Sequence, residues 1–332
     1  MVELIECKNR EEWDDDLLEN QGHPFQLWGW GEVKAVHGWK TERLIIRNND
    51  EIIGFAQVLT KKLPWPLKGF SYIPRGRVLV KEDSDVFYNK IAEFIKKKYK
   101  SVVLSIEPHA FEEVNLQGWK RVGHDNSILV DQTIMIDLTK PEDEILAEMG
   151  RKTRQSINKA KRNIDEIKQI TDDEELEKCL NIYDLTSKRA GFAIHSRKYY
   201  QTVMKELNSN SLIFGAYINN ELVGFLWLAI SESVAYQMYS GINEVGAKNR
   251  VNYALRWHAI TKAKEWGLKD YDFGGLMPGG VESFKKAWSN KTTSFVGTYD
   301  KPLSLWYPLW HRGRPLINKL NQKRKALKRK VN

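Results

Sequence analysis

A heptapeptide occurs twice in this chain, as NDEIIGF at residues 49–55 and NNELVGF at 219–225, identical at four positions and conservative at three. Asn and Asp between apolar runs are also the commonest hairpin signal, so the match alone predicts two turns and nothing more. The flanks constrain it further. In the first half RLII, a turn, IIGFAQVL, FSYIPRGRVL, the amphipathic DVFYNKIAEFIKKKYK and the apolar SVVLSIEP follow one another. In the second half LIFGAYI, a turn, LVGFLWLAI, VAYQMYSGI, NYALRWHAITKAKEWG and KDYDFGG do the same. Each series predicts a hairpin, a third strand, a helix and a crossover strand. The chain is therefore expected to contain one mixed α/β unit twice, over about residues 25–138 and 175–300.

Each half continues with a Trp-bearing segment (LQGWKRVG, FKKAWSNK) and a closing strand (QTIMIDLT, SFVGTYD), and each is preceded by a helical segment with an aromatic cluster (FQLWGWGEVKAVHGW, SRKYYQTVMKEL). Thr139-Lys-Pro-Glu142 has the form of a capping box opening a helix through about residue 163. The domain reading is 1–138, a basic linker helix at 139–174, 175–300, and an aromatic and basic tail at 301–332. A chain of 332 residues with 42% apolar side chains is long enough for two cores. Cys7 and Cys179 match no metal or disulfide spacing, and no metal or cofactor is expected.

The acidic start MVELIECKNREEWDDD and the lack of any long apolar run predict neither secretion nor a membrane span, so a cytoplasmic protein is expected. The net charge is +9, but residues 311–332 alone carry nine Lys and Arg and no acid, and the remainder balances at 43 bases against 43 acids. The basic character is local and points to a local anionic partner.

A hairpin sheet, a helix and a parallel strand with a splayed pair in the middle resemble the N-acetyltransferase fold, and the duplication narrows the likeness. GWGEVKAVHGW (29–39), YIPRGRV (72–78), KTRQSINKAKR (152–162), YDFGG (271–275) and SFKKAW (283–288), in this order, resemble the Fem (FemABX) family of peptidoglycan bridge-forming aminoacyltransferases over about residues 20–300. The resemblance implies tandem N-acetyltransferase-like domains with mixed sheets, in the compact form without a helical-hairpin insert. It also implies a reaction that moves an amino acid from aminoacyl-tRNA to the side-chain amine of a lipid- or UDP-linked peptidoglycan precursor, and a monomer is expected.

Ester aminolysis requires a deprotonated amine held against the carbonyl and positive charge where the oxyanion forms. Lys285 matches the lysine that the family places near precursor phosphate and the reacting ester; the alternative is a surface lysine on an amphipathic turn. Lys34, one turn past Trp30, matches a diphosphate contact or is a solvated helix lysine. Arg75, on a turn after Pro74, suits a bidentate phosphate or carboxylate clamp, with Tyr72 three residues before it. In HSRKYY the family usually has an arginine where His195 stands, so either His195 or Arg197 takes that contact. Tyr199 and Tyr239 match positions lining the precursor site or are core. Glu107, ending SVVLSIEP, is a candidate base for the amine or a structural anion.

Arg151, Lys152, Arg154, Lys159, Lys161 and Arg162 make the linker helix basic with no interrupting acid, which suits the tRNA acceptor end. SLWYPLW (304–310), with Trp306, Tyr307 and Trp310 before a run of cations, reads as a peripheral membrane contact over 304–330; tRNA binding by the same tail is the main alternative, but it does not require the apolar Leu309, Leu316, Ile317 and Leu320. That favours a lipid-linked acceptor. Two other readings compete. An acyl-CoA N-acyltransferase needs a Gln/Arg-x-x-Gly-x-Gly/Ala pyrophosphate loop, which NEVGAKNRVNYAL (243–255) does not provide. A non-catalytic nucleic-acid or membrane-binding protein leaves the duplication and SFKKAW unexplained.

Overall fold

A computed structural model of the protein describes residues 2–49, 51–76, 84–123, 127–277 and 279–314. The cations Lys319, Lys323, Arg324, Lys325, Lys328, Arg329 and Lys330 of the tail, its apolar Leu316, Ile317 and Leu320, and Arg77 and Val78 of the YIPRGRV motif lie outside the described residues. The chain forms two compact units, one built from residues 1–131 together with those from 295 on, the other from 132–294.

In the first unit the chain runs β1 (Val2–Glu6), α1 (Arg10–Glu19), α2 (Trp28–Ala35), β2 (Trp39–Asn48), β3 (Glu51–Lys62), β4 (Gly69–Pro74), α3 (Ser84–Tyr99), β5 (Val103–Glu107) and β6 (Lys120–Arg121). β2 and β3 form the hairpin read from the repeat, pairing Asn48 with Glu51, and Asn49 turns the corner at φ 54°. Asparagine tolerates this left-handed geometry better than other side chains. β4 runs antiparallel to β3 and parallel to β5, from Phe70↔Val103 to Pro74↔Glu107. The helical period of α3 buries Phe87, Tyr88, Ile91, Ala92 and Ile95 in the core that also contains Leu104 and Ile106.

The second unit runs β7 (Gln132–Thr133), β8 (Met135–Asp137), α4 (Glu142–Glu148), α5 (Arg151–Asn163), β9 (Glu166–Ile170), α6 (Asp173–Ala190), α7 (Arg197–Leu207), β10 (Ser211–Ile218), β11 (Glu221–Ile230), β12 (Val234–Ile242), α8 (Glu244–Lys248), α9 (Val251–Glu265), β13 (Asp270–Asp272), α10 (Gly280–Lys286) and β14 (Thr293–Ser294). β10 and β11 are the second copy of the hairpin, turning at Asn219 and Asn220 with φ of 51° and 64°. β12 lies parallel to β13 over Val234–Tyr236 and Asp270–Asp272. The order hairpin, third strand, helix, parallel strand is thus realised in both units.

Five expectations are corrected. The closing strands are exchanged: β8, within QTIMIDLT, pairs with β13 of the second unit, and β15 (Tyr299–Pro302), which starts at the end of SFVGTYD, inserts between β5 and β6 of the first. Both strands are short, three and four residues, so local sequence could not assign them to one open edge or the other. The boundaries 1–138, 175–300 and 301–332 shift accordingly. The linker is not a separate element; α5 packs Thr153, Ser156, Ile157 and Ala160 inward on the second unit, and β9 borders that unit's sheet. The expected continuous helix breaks at Met149 and Gly150, whose ψ values of 147° and 141° are extended. The capping box is not formed either: Thr139 donates to Asp137, and Pro141 is the N-cap of α4.

A chain ending at Ser294 leaves the β5 edge unpaired and removes Asp300, to which Ser105 donates at 2.5 Å inside the core. The expected outcome is loss of cooperative unfolding in the first unit with the second unit's transition retained, measured by hydrogen exchange of β5 and β11 amides during thermal unfolding.

Candidate active site

Parallel strands that part leave backbone groups in need of partners, and in each unit some of the predicted residues lie where this happens. In the first unit β4 and β5 separate after Pro74 and Glu107. Glu107 is buried, and its Oε1 accepts from Ile128 N (2.8 Å), Leu129 N (2.9 Å) and the Thr298 hydroxyl (2.5 Å), while Tyr72 donates its hydroxyl to Oε2. Burial and the adjacent carboxylate raise the Tyr72 pKa well above its usual value, which keeps the phenol a donor. Glu107 is thus a fully used acceptor joining β4, the loop after residue 127 and the chain before β15.

Arg75 is buried one residue past β4, at φ 48°, with its guanidinium 3.6 Å over the Phe295 ring and Nη2 3.4 Å from Val130 O. The strand end that carries it is fixed by Gln26, which donates to Pro74 O at 2.6 Å and accepts from Gln57 N at 2.7 Å. A file of aromatic rings connects Arg75 with Lys34. Phe295 lies 5.4 Å from His109, His109 5.2 Å from His23, His23 4.8 Å from Phe25, and Phe25 stacks at 4.3 Å on Trp30, over which Lys34 sits at 4.1 Å. Lys34 is therefore half-buried, not a solvated helix lysine, and desolvation lowers its pKa to about 8. Burial, with the Arg75 charge adding to it, lowers His109 to about 3 and keeps it neutral.

In the second unit β12 and β13 part after Tyr236 and Asp272. Here the buried group is a cation. Lys285, on α10 and 7% exposed, donates to Phe273 O (2.7 Å), Gly275 O (2.9 Å) and Gly274 O. The surface-lysine alternative is excluded. Burial, with the Arg256 charge adding to it, pulls its pKa to about 8, and the Asp272 carboxylate opposes that fall. Asp272 accepts from Gly274 N and from Thr133. At Gly274, φ +65°, a Cβ would lie 2.6 Å from Gln237 O, so only glycine suits the turn. Arg256, from α9, is buried beside this cluster, donates to Ser240 Oγ at 3.0 Å and lies 4.7 Å over Phe284; burial lowers its pKa to about 10. Sequence reading missed Arg256, His109 and Asp272. The first was visible as an arginine on the apolar face of NYALRWHAI.

The other predicted residues form separate clusters. Tyr199 and Tyr239 pack with Tyr183 and Tyr200, with Tyr239 5.1 Å from Tyr200 and 5.8 Å from Tyr183, and burial raises Tyr199 to about 12. His195 is exposed and stacks on Tyr199 at 4.0 Å. Arg197 ties α7 to α6, donating to Asn181 at 2.9 Å and pairing with Asp184 and Glu177. Arg151, Lys152, Arg154, Lys159, Lys161 and Arg162 are all exposed along α5, and none forms an ion pair with a described residue.

Two sheets of this order, each a hairpin with a third strand, a helical crossover and a parallel strand that splays from its neighbour, define a tandem N-acetyltransferase-like α/β protein. The chain belongs to the FemAB family, whose model matches residues 113–223 and 220–311. It is 20% identical to the lipid II:glycine glycyltransferase of Staphylococcus haemolyticus (strain JCSC1435) over 408 residues, covering 96% of this chain and 97% of that protein. That alignment is longer than the chain, so the relative carries segments absent here; in the second unit the longest described helix is α6, with 18 residues. The protein of the same name from Staphylococcus aureus (strain MRSA252) is 25% identical over 57% of this chain and 48% of its own length. The crystal structure of FemX superposes with a TM-score of 0.80 at 20% identity, covering 93% of this chain and 98% of that one. A tandem GNAT protein from the clavulanic acid pathway gives 0.52 at 10%, covering 92% and 99%.

Replacing Lys285 by Met strands three carbonyls in a dry interior, so a loss of roughly 3 kcal/mol of stability is expected. Faster amide exchange at Gly274–Leu276 should accompany it. An unchanged melting curve and exchange pattern would refute the clamp.

Proposed function

We propose that this chain transfers an amino acid from aminoacyl-tRNA to the side-chain amine of the stem peptide of a peptidoglycan precursor. The observation that carries the reading is the buried cation at the splay of the second unit. Lys285 beside Arg256 puts positive charge where the fold opens between parallel strands, in a chain aligned almost end to end with a lipid II:glycine glycyltransferase. Such charge stabilises a tetrahedral oxyanion and draws precursor phosphate. With its three N–H groups given to carbonyls, Lys285 acts as a positioning residue for residues 273–275 and as a fixed charge. Within the first unit Lys34, Tyr72 and Arg75 are proposed as precursor contacts, and within the second, taken by itself, His195, Tyr199 and Tyr239 are proposed as precursor contacts. The exposed cations of α5 are proposed to hold tRNA phosphates. Arg197, paired with Asp184, is the weaker partner for a precursor phosphate, which leaves His195 the better placed of the two.

An acyl-CoA reaction is disfavoured by a specific contact. Asn243 Oδ1 accepts from Gly246 N at 2.8 Å, so the protein's own side chain occupies an amide of the loop that would cradle a pyrophosphate.

Incubation with aminoacyl-tRNA and either lipid-linked or nucleotide-linked precursor should give a product heavier by one aminoacyl residue, and no product when the tRNA is uncharged. Reversing Arg151, Lys152 and Arg154 to Glu should weaken tRNA binding at least tenfold and lower its log–log salt slope by about one for each phosphate no longer neutralised. The proton balance tests Glu107. With its acceptor sites occupied, Glu107→Gln should reduce melting temperature and turnover together and leave the acid limb of the pH–rate profile in place. A general base would instead lose that limb in a stably folded variant.

A further inference from the structure

Two segments remote in sequence meet on the first unit and expose large apolar side chains together. The β3–β4 turn presents Trp65, 82% exposed, and the segment after β15 presents Leu305 at 97%, Trp306 at 45% and Leu309 at 53%. The Trp65 and Trp306 rings are 6.2 Å apart. Both segments are tied to the unit by hydrogen bonds and ring contacts. Leu63 N bonds Lys68 O at 2.8 Å and Leu67 N bonds Pro64 O at 3.0 Å, closing the turn under Trp65. Residues 307–314 are helical, and the inward side of that helix is fixed. Tyr307 donates to Asp300 at 3.1 Å, Trp310 stacks on Phe70 at 5.0 Å, and the buried Arg314 lies 5.9 Å over the same ring. Tyr307 and Trp310, read from sequence as part of an interfacial anchor, are thus interior packing, and Leu309 and Arg312 are left on the outward side.

Soluble proteins rarely leave such apolar surface contiguous without using it. The charge around it selects the occupant. Lys62, Lys68 and Arg312 are exposed on the same two segments, residues 52–81 and 301–332 contain no acid, and seven more Lys and Arg follow residue 314. We infer that Trp65, Leu305, Trp306 and Leu309 form a membrane-docking surface that seats in the headgroup layer of a bilayer rich in anionic phospholipid, with Lys62, Lys68 and Arg312 on the lipid phosphates. Tryptophan and leucine gain from burial at headgroup depth, and each nearby base adds attraction to an anionic leaflet. An acidic protein partner would satisfy the bases but leave the indole pair and two leucines unmatched. The inference rests on the proposed function only in that a lipid-linked acceptor lies in such a bilayer; the docking itself needs neither donor nor acceptor.

The test uses the full chain alone. It is sedimented with vesicles of phosphatidylglycerol and phosphatidylcholine, and with phosphatidylcholine alone, across a salt series. The chain should pellet with the anionic vesicles, and Trp65→Ala/Trp306→Ala should reduce partitioning by at least about tenfold with an unchanged melting curve. Leu305→Ser/Leu309→Ser, which touches neither indole, should do the same. Lys62→Glu/Lys68→Glu should weaken binding to anionic vesicles and remove its salt dependence in part. The inference is overturned if the parent chain binds no vesicle. It is also overturned if both apolar pairs bind as tightly as the parent, which would leave anchoring to the cations alone. A concentration-dependent dimer abolished by the same pairs would overturn it as well, because a second copy would then cover the surface. None of these outcomes depends on product formation, so a failure of docking and a failure of the proposed transfer are read separately.

Discussion

The constraint on which both units depend is the end of a parallel strand pair. Where β4 leaves β5 and β12 leaves β13, backbone groups pass beyond the last ladder bond while still inside the protein, and an unpaired buried amide or carbonyl costs as much as a missing hydrogen bond. The two units solve this with opposite charges. In the first, Glu107 at the end of β5 accepts from the N–H groups of Ile128 and Leu129 on a later loop; in the second, the carbonyls of 273–275 that follow β13 are met by an ammonium, Lys285. One fold therefore has an anionic plug at one splay and a cationic plug at the other. The copies have diverged in chemistry at corresponding places in the fold.

Much of this was legible from residues. The hairpins were visible because Asn at positive φ is a local requirement, and the helices because α3 shows its buried period in the letters. Lys285, Arg75 and Glu107 were reachable because each follows a strand or lies in a motif whose neighbours restrict the backbone. What was not legible is long-range. β8 and β15 have too few residues to encode a partner, and either would suit either open edge. The engagement of Arg197 with Asp184 is a matter of how α6 meets α7, which no local pattern records. The aromatic file through His23 and His109 joins residues from three separate segments and shows in sequence only as scattered rings.

Burial also separates residues that looked alike as letters. Arg151, Lys152 and Arg154 lie in water, where long-range attraction to phosphate is their main resource, whereas Lys34, Arg256 and Lys285 have given up much of their hydration and are held by rings or carbonyls. The first group suits tolerant, salt-sensitive contact; the second suits a fixed site. Composition alone merges the two into a single excess of base.

The exchange of closing strands has a consequence for the order in which the protein is made. All of the second unit lies between residues 132 and 294, so its sheet can be completed as soon as that stretch leaves the ribosome. The first unit is started earlier and finished later: its β5 edge waits through nearly two hundred residues of synthesis until β15 arrives. During that interval the β5 edge lacks the strand that pairs with it in the finished protein. The N-terminal half of this protein is begun first and closed last.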